Sequence, residues 1–98
     1  MHDFCIAPDH PALPGHFPGN PVVPGVLLLE QVLSLLEAVH GPLASLRLPQ
    51  VKFLQPLLPG QAARVELTLR GPNSWRFRVM RGDAVLATGD IAASGIAA

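Results

Sequence analysis

Charge is scarce in this chain, and what there is cancels. Charged residues make up 14% of the 98 positions and the formal net charge is zero, against roughly 25% charged in an ordinary soluble domain. A neutral chain is a poor candidate for nucleic-acid binding, which depends on neutralising phosphates. Ninety-eight residues suffice for one domain and leave no room for a second core. So small a domain should need more polar surface than average, yet 49% of it is hydrophobic. An apolar face buried against another copy resolves the mismatch, so an oligomer is expected.

Lysine is nearly missing: six arginines accompany a single lysine. Arginine suits fixed contacts to carboxylate or phosphate better than general solubility. The one cysteine, Cys5, excludes an internal disulfide and supplies no thiolate zinc site alone, which is compatible with a reducing compartment. In an apolar strand it is expected to be core rather than nucleophile. No long apolar run is unbroken. The greasiest stretch, residues 22–39, is interrupted by Pro24, Gly25, Glu30, Gln31, Ser34 and Glu37, so no membrane span is expected. The start, Met1-His2-Asp3-Phe4-Cys5, lacks the basic region and apolar stretch of a signal peptide. A soluble, cytoplasmic protein is expected.

Several chemistries lack their motifs. His2, His10, His16 and His40 show no metal-ligand spacing. The serines lie in no nucleophile elbow, and no glycine-rich phosphate loop precedes a helix.

Proline, by contrast, is abundant in one place. Between residues 8 and 24 there are prolines at 8, 11, 14, 18, 21 and 24, with Gly15 and Gly19 among them. Proline fixes φ and biases its predecessor toward extended geometry, so this segment reads as a stiff, ordered loop. A short strand over residues 2–7 precedes it. A helix follows over residues 24–40, since proline is tolerated at a helix start and Gly41-Pro42 supplies a stop. Its apolar residues cover most of the circumference, leaving Glu30, Ser34 and Glu37 as a narrow polar stripe.

The remainder reads as strands: residues 45–54, then 64–70 and 75–80 with clean alternation, then 84–92. Gly71-Pro72-Asn73 and Arg81-Gly82-Asp83 mark the turns. Residues 93–98 are expected to fray. The pattern predicts a single α+β domain over residues 1–98, an antiparallel sheet wrapped around one apolar helix.

Three features carry possible chemistry. His16 sits in the stiffest part of the chain, and a histidine exchanges protons near neutral pH; a plain loop histidine is the alternative. Glu30 on an apolar helix is either part of the solvent stripe or an acid facing a closed cavity, where desolvation would keep it protonated. The helix start at Pro24-Gly25-Val26 offers unpartnered amides and the positive end of the dipole. Glycine there lets a ligand oxygen approach.

The order of these residues is informative. The stretch from Asp9-His10-Pro11 through Gly15-His16-Phe17-Pro18-Gly19-Asn20-Pro21 and Pro24-Gly25-Val26 to Glu30 resembles the signature of bacterial 3-hydroxyacyl-acyl-carrier-protein dehydratases. Val51-Lys52-Phe53-Leu54-Gln55-Pro56-Leu57-Leu58-Pro59-Gly60 resembles a second block of that family, a strand ending in Pro-Gly. The similarity implies a hot-dog fold and dehydration of a (3R)-3-hydroxyacyl thioester to the trans-2-enoyl thioester, with no metal or redox cofactor.

Residue by residue, the resemblance makes His16 the base that removes the α proton and Glu30 the acid that assists departure of the 3-hydroxyl. Gly25 becomes the residue whose amide binds the thioester oxygen. Val22 becomes the position whose carbonyl orients the histidine ring. Phe53 and Leu54, with helix leucines, would line the acyl tunnel. The family builds each site from two subunits, which implies a homodimer with shared sites, associating further in some members. Glu rather than Asp at position 30 implies dehydration without double-bond isomerisation.

The family's substrate arrives on an acyl carrier protein, an acidic partner. Arg64, Arg70, Arg76, Arg78 and Arg81 are therefore candidates for a docking surface, with solvated strand faces as the ordinary alternative. Two departures stand out: only fifteen residues precede the histidine motif, which suggests a compact member, and Ser34 replaces a glutamine common one turn after the helix acid. Fatty-acid, polyketide and polyene or pigment synthesis all fit. Thioester hydrolysis on the same fold and a non-catalytic acyl-binding module stand as alternative functions.

Overall fold

One strand, one helix and then four strands follow one another in the order that the patterning predicts. The computed structural model describes residues 2–7, 22–41 and 45–93. Its elements run β1 (His2–Cys5), α1 (Gly25–His40), β2 (Leu46–Phe53), β3 (Ala62–Gly71), β4 (Ser74–Arg81) and β5 (Ala84–Ala93). Pro24 precedes α1 with φ −58° and ψ 142°. The ring fixes that φ, the extended ψ keeps Pro24 outside the helix, and its carbonyl accepts the Leu27 N–H at 3.0 Å. The predicted start moves by one residue. At the other end Gly41 takes φ 78°, a left-handed conformation cheap only for glycine, and its amide donates to the Glu37 carbonyl at 2.7 Å.

The five strands form one antiparallel sheet in the order β1-β3-β4-β5-β2. Strands β3, β4 and β5 follow each other through tight turns, with Gly82 at φ 57° in the second. Strand β2 crosses to the far edge beside β5. Its register with β5 slips between Arg47 and Gln50, where Pro49 sits. An edge strand with an irregularity is where a residue lacking an N–H is tolerated.

Helix α1 packs on β3 and β4. Leu27, Leu28, Val32, Leu35 and Leu36 are buried against Val65, Phe77, Val79 and Leu86. The opposite stripe of α1, with Val26, Glu30, Ser34 and Glu37, is exposed. Val26 and Val39 keep 60% and 62% of their surface in water. Among the described residues the helix is covered on its β3–β4 side. Trp75 is buried and donates its indole N–H to His40 Nε2 at 3.1 Å, tying the helix end to β4. No helix among the described residues is long and apolar enough to cross a membrane.

Two expectations need correction. Cys5 is exposed rather than core. In β1 it is His2 and Phe4 that turn toward the molecule, and His2 Nε2 donates to Gln31 Oε1 on the helix at 3.2 Å. The strand alternates with period two, so Cys5 shares the outward face with Asp3. Ala93, expected to fray, is the last residue of β5: it is buried, and its N–H donates to the Asn73 carbonyl at 2.8 Å. Residues 94–98 lie outside the described residues.

Candidate active site

Where β2 ends, the chain turns back along the start of α1. Val23, Gly25 and Leu28 form one wall, and Phe53 through Leu57 the other, of an open groove of about 380 Å³. Every lining residue but Gln55 is apolar or glycine, which suits an alkyl or other hydrophobic chain. A smaller concavity of about 140 Å³ on the outer face of the sheet is lined by Gln50, Lys52, Arg76, Thr88, Gly89 and Asp90. It lacks the apolar lining that an acyl chain requires.

The start of α1 opens into the larger groove. No side chain caps it and no acidic residue lies in its first turn. Among the described residues no side chain is bonded to the first amides of the helix, and the positive end of the helix dipole faces the groove. The chemistry this allows is stabilisation of negative charge growing on a carbonyl oxygen.

Gly25 and Phe53 meet here. A Cβ built on Gly25 would lie 2.8 Å from the Phe53 ring, so the absence of a side chain is what lets the ring rest on the helix start. Phe53 is 54% exposed, so its ring can give way without disturbing the core. Gly25→Ala is accordingly expected to leave thermal stability within about 1 kcal/mol of the native chain. It should nonetheless displace the ring, which altered affinity for a hydrophobic ligand would report. Unaltered affinity would remove Phe53 from the groove wall.

Of the other sequence-derived residues, Val22 is half-buried beside the groove, and the next residue, Val23, donates its N–H to the Leu57 carbonyl at 2.8 Å. Glu30 lies on the exposed stripe of α1 and does not line the groove. From Gly25 to Glu30 an α-helix rises about 7.5 Å and turns about 140°, which carries the carboxyl group away from its own chain's groove. His16 falls in the stretch 8–21, outside the described residues. The structure thus joins Gly25, Phe53 and the Val22–Val23 segment, and places Glu30 apart from them.

The candidate docking arginines divide. Arg78 Nη2 meets Glu66 Oε1 at 2.8 Å, Arg76 Nε meets Asp90 Oδ1 at 3.0 Å, and Arg64 Nε lies 3.3 Å from Glu66 Oε2. These three form a mixed-charge ladder across β3, β4 and β5, a surface whose individual pairs are each worth about 0.2–1 kcal/mol. Arg81 instead reaches the Pro56 carbonyl and the Gln61 side chain, at 3.0 Å and 3.2 Å. Sequence reasoning gave Arg81 no link to the groove, and only the fold brings residue 81 beside residue 56.

One helix cradled by a five-stranded antiparallel sheet, with the helix start opening on an apolar groove, is the hot-dog fold. A model of the family described as "ApeI-like: ApeI dehydratase" matches residues 1–90, and the chain belongs to that family. It is 35% identical over 96 residues to a 3-hydroxyacyl-[acyl-carrier-protein] dehydratase FabZ of Magnetococcus marinus, covering 86% of this chain and 60% of that protein. With a FabZ of Caulobacter vibrioides the identity is 33% over 103 residues, 91% of this chain and 65% of the relative. The chain thus spans about three fifths of the length of the curated relatives it matches. Among solved structures, the dehydratase heterocomplex ApeI:P from Xenorhabdus doucetiae superimposes with a TM-score of 0.77 at 24% identity, over 93% of this chain and 82% of that one. An uncharacterized protein of Erwinia carotovora subsp. atroseptica gives 0.74 at 30% identity, over 96% and 81%.

Proposed function

We propose that this chain dehydrates a (3R)-3-hydroxyacyl thioester carried on an acyl carrier protein, giving the trans-2-enoyl thioester and water. The observation that carries the reading is the uncapped helix start at Gly25, open to an apolar groove, in a member of a dehydratase family. The curated relatives named above are 3-hydroxyacyl-[acyl-carrier-protein] dehydratases, which supplies the substrate class.

In this reading the acyl chain lies between Phe53 and Leu28, and the thioester oxygen sits at the Gly25 amide. His16 removes the proton α to the carbonyl, and the electron pair moves into an enolate whose oxygen is held by that amide. Collapse of the enolate forms the 2,3 double bond and expels the 3-hydroxyl, which takes a proton from the Glu30 carboxyl group and leaves as water. The Val22 carbonyl orients the His16 ring. No step calls for a metal or redox cofactor. With Glu at position 30, the product stays the 2-enoyl isomer.

The site is shared between two copies of the chain, Glu30 of one facing His16 of the other. What supports this is the exposure of Glu30 on the single chain and of Val26 one turn before it on the same face, since an acid that protonates a leaving group needs enclosure from water. The two copies make a homodimer, located in the cytoplasm.

The test is mass-spectrometric turnover of a panel of 3-hydroxyacyl-carrier-proteins of differing chain length. Loss of one water from the acyl group supports the dehydratase. Release of the free acid would assign thioester hydrolysis, and unchanged substrates that still bind would assign an acyl-binding module.

A further inference from the structure

The turn formed by residues 54–61 does more than wall the groove. Its Leu57 carbonyl accepts the Val23 N–H at 2.8 Å, and its Gly60 N–H donates to the Ile6 carbonyl at 2.8 Å. Ile6 lies just before, and Val23 just after, the stretch 8–21 that carries His16. The described residues on either side of that stretch, Ile6 and Val23, are therefore bonded to a single turn. Ile6, Val23 and Leu57 are all buried, where an amide–carbonyl bond is costly to lose.

The turn is itself held from the sheet. The N–H groups of Leu54 and Gln55 both donate to the Leu86 carbonyl, at 2.8 and 3.2 Å. Arg81, at the end of β4, donates from Nη1 to the Pro56 carbonyl at 3.0 Å and to Gln61 Oε1 at 3.2 Å. Gln61 Oε1 also accepts the Leu58 N–H at 3.0 Å. Two donors converge on one atom, so that atom must be the amide oxygen. Among the described residues Arg64, Arg76 and Arg78 pair with surface carboxylates, whereas Arg81 bonds to a carbonyl and an amide. Its guanidinium cross-links two points of one turn to the rigid β4–β5 hairpin.

We propose that Arg81 and Gln61 are positioning residues: they brace the turn to which Ile6 and Val23, on either side of the His16 segment, are bonded, so that loss of the brace reaches the base. The proposal rests on the reading of His16 as the base. Its consequence is that loss of the brace damages proton abstraction more than substrate binding, because small misplacement of a catalytic group is costly to rate.

The experiment combines kinetics with amide hydrogen exchange on the full chain. Arg81→Ala is expected to lower kcat about tenfold to a hundredfold with KM changed less than about threefold. Arg81→Lys, which retains one donor, should recover part of the loss. In a His16→Ala background, Arg81→Ala should have almost no further effect on the residual rate, because the brace acts through His16. Exchange at the Val23 and Gly60 amides should rise about tenfold or more, with the Phe77 and Leu86 amides unchanged. Should Arg81→Ala fail to fold, Gln61→Ala carries the same test with a smaller expected effect.

An equal fractional loss in both backgrounds, a change in KM alone, or unaltered exchange at Val23 and Gly60 would overturn the brace. If His16→Ala turns over like the native chain, the assignment of the base falls and the proposal with it. That result is distinct from an essential His16 beside an inert Arg81→Ala.

Discussion

On the proposed dehydratase reading, co-expressing His16→Ala chains with Glu30→Gln chains is expected to restore about a quarter of the native rate, although each variant alone should be nearly inactive. Each single substitution should lower kcat by about 10²–10⁴, the usual worth of a positioned acid or base. The quarter follows from symmetry. In a two-fold dimer with shared sites, random assembly makes about half of the dimers mixed. One of the two sites in a mixed dimer then contains both native groups.

The structural ground for this test is the position of Glu30. It lies on the exposed stripe of α1, about 140° around the helix from Gly25, and does not line its own chain's groove. An acid that protonates a leaving group needs enclosure from bulk water, and a second chain laid against the stripe would supply it. Val26, one turn before Glu30 and about 40° around the helix from it, is 60% exposed and adds apolar area to the burial. Recovery of activity on mixing would establish the shared site. No recovery, with subunit mixing verified by native mass spectrometry, would place both groups within one chain.

The largest effect on stability is expected from Phe77→Ala. Phe77 is fully buried in the middle of β4, opposite Leu67 on β3 and Gly89 on β5. Its ring fills the space that a side chain at residue 89 would take: a Cβ on Gly89 would come within 2.7 Å of the ring and 2.4 Å of the Gln50 carbonyl oxygen. The ring thus covers the glycine and links the sheet to the helix-facing core. Its removal leaves a cavity that β5 cannot close, because the neighbouring residue has no side chain to move in. Such truncations cost about 3–5 kcal/mol, a large share of the roughly 5–15 kcal/mol that holds a domain together. A fall in Tm of about 12–40 °C follows for a domain of this size, readable by Trp75 fluorescence during heating. A shift of only a few degrees would mean that the ring is not the keystone of the sheet.

The legible parts of this protein are those decided by neighbours in sequence. The helix stands where its apolar positions recur and where Pro24 and Gly41 end it, and the three strands β3, β4 and β5 follow from alternation and two turns. The motif around His16, and the residues Val22, Gly25 and Glu30 after it, stood out in the sequence as a resemblance to dehydratases. That likeness agrees with the family to which the chain belongs. These features depend on φ preferences, on periods of two and 3.6, and on residue order, all of which a single chain displays locally.

Other features were decided only by long-range pairing. Nothing in the sequence puts β2 beyond β5 at the sheet edge, or turns Cys5 outward and His2 toward Gln31. The phase of a four-residue strand is set by what it packs against. The rest of the Phe53 ring on Gly25 joins residues 28 apart, and the reach of Arg81 to Pro56 joins residues 25 apart. Apolar residues at these positions are equally consistent with core, groove or subunit interface. Hydrophobic burial is non-directional, so composition and period say that a surface must be covered. Only the packed sheet decides by what.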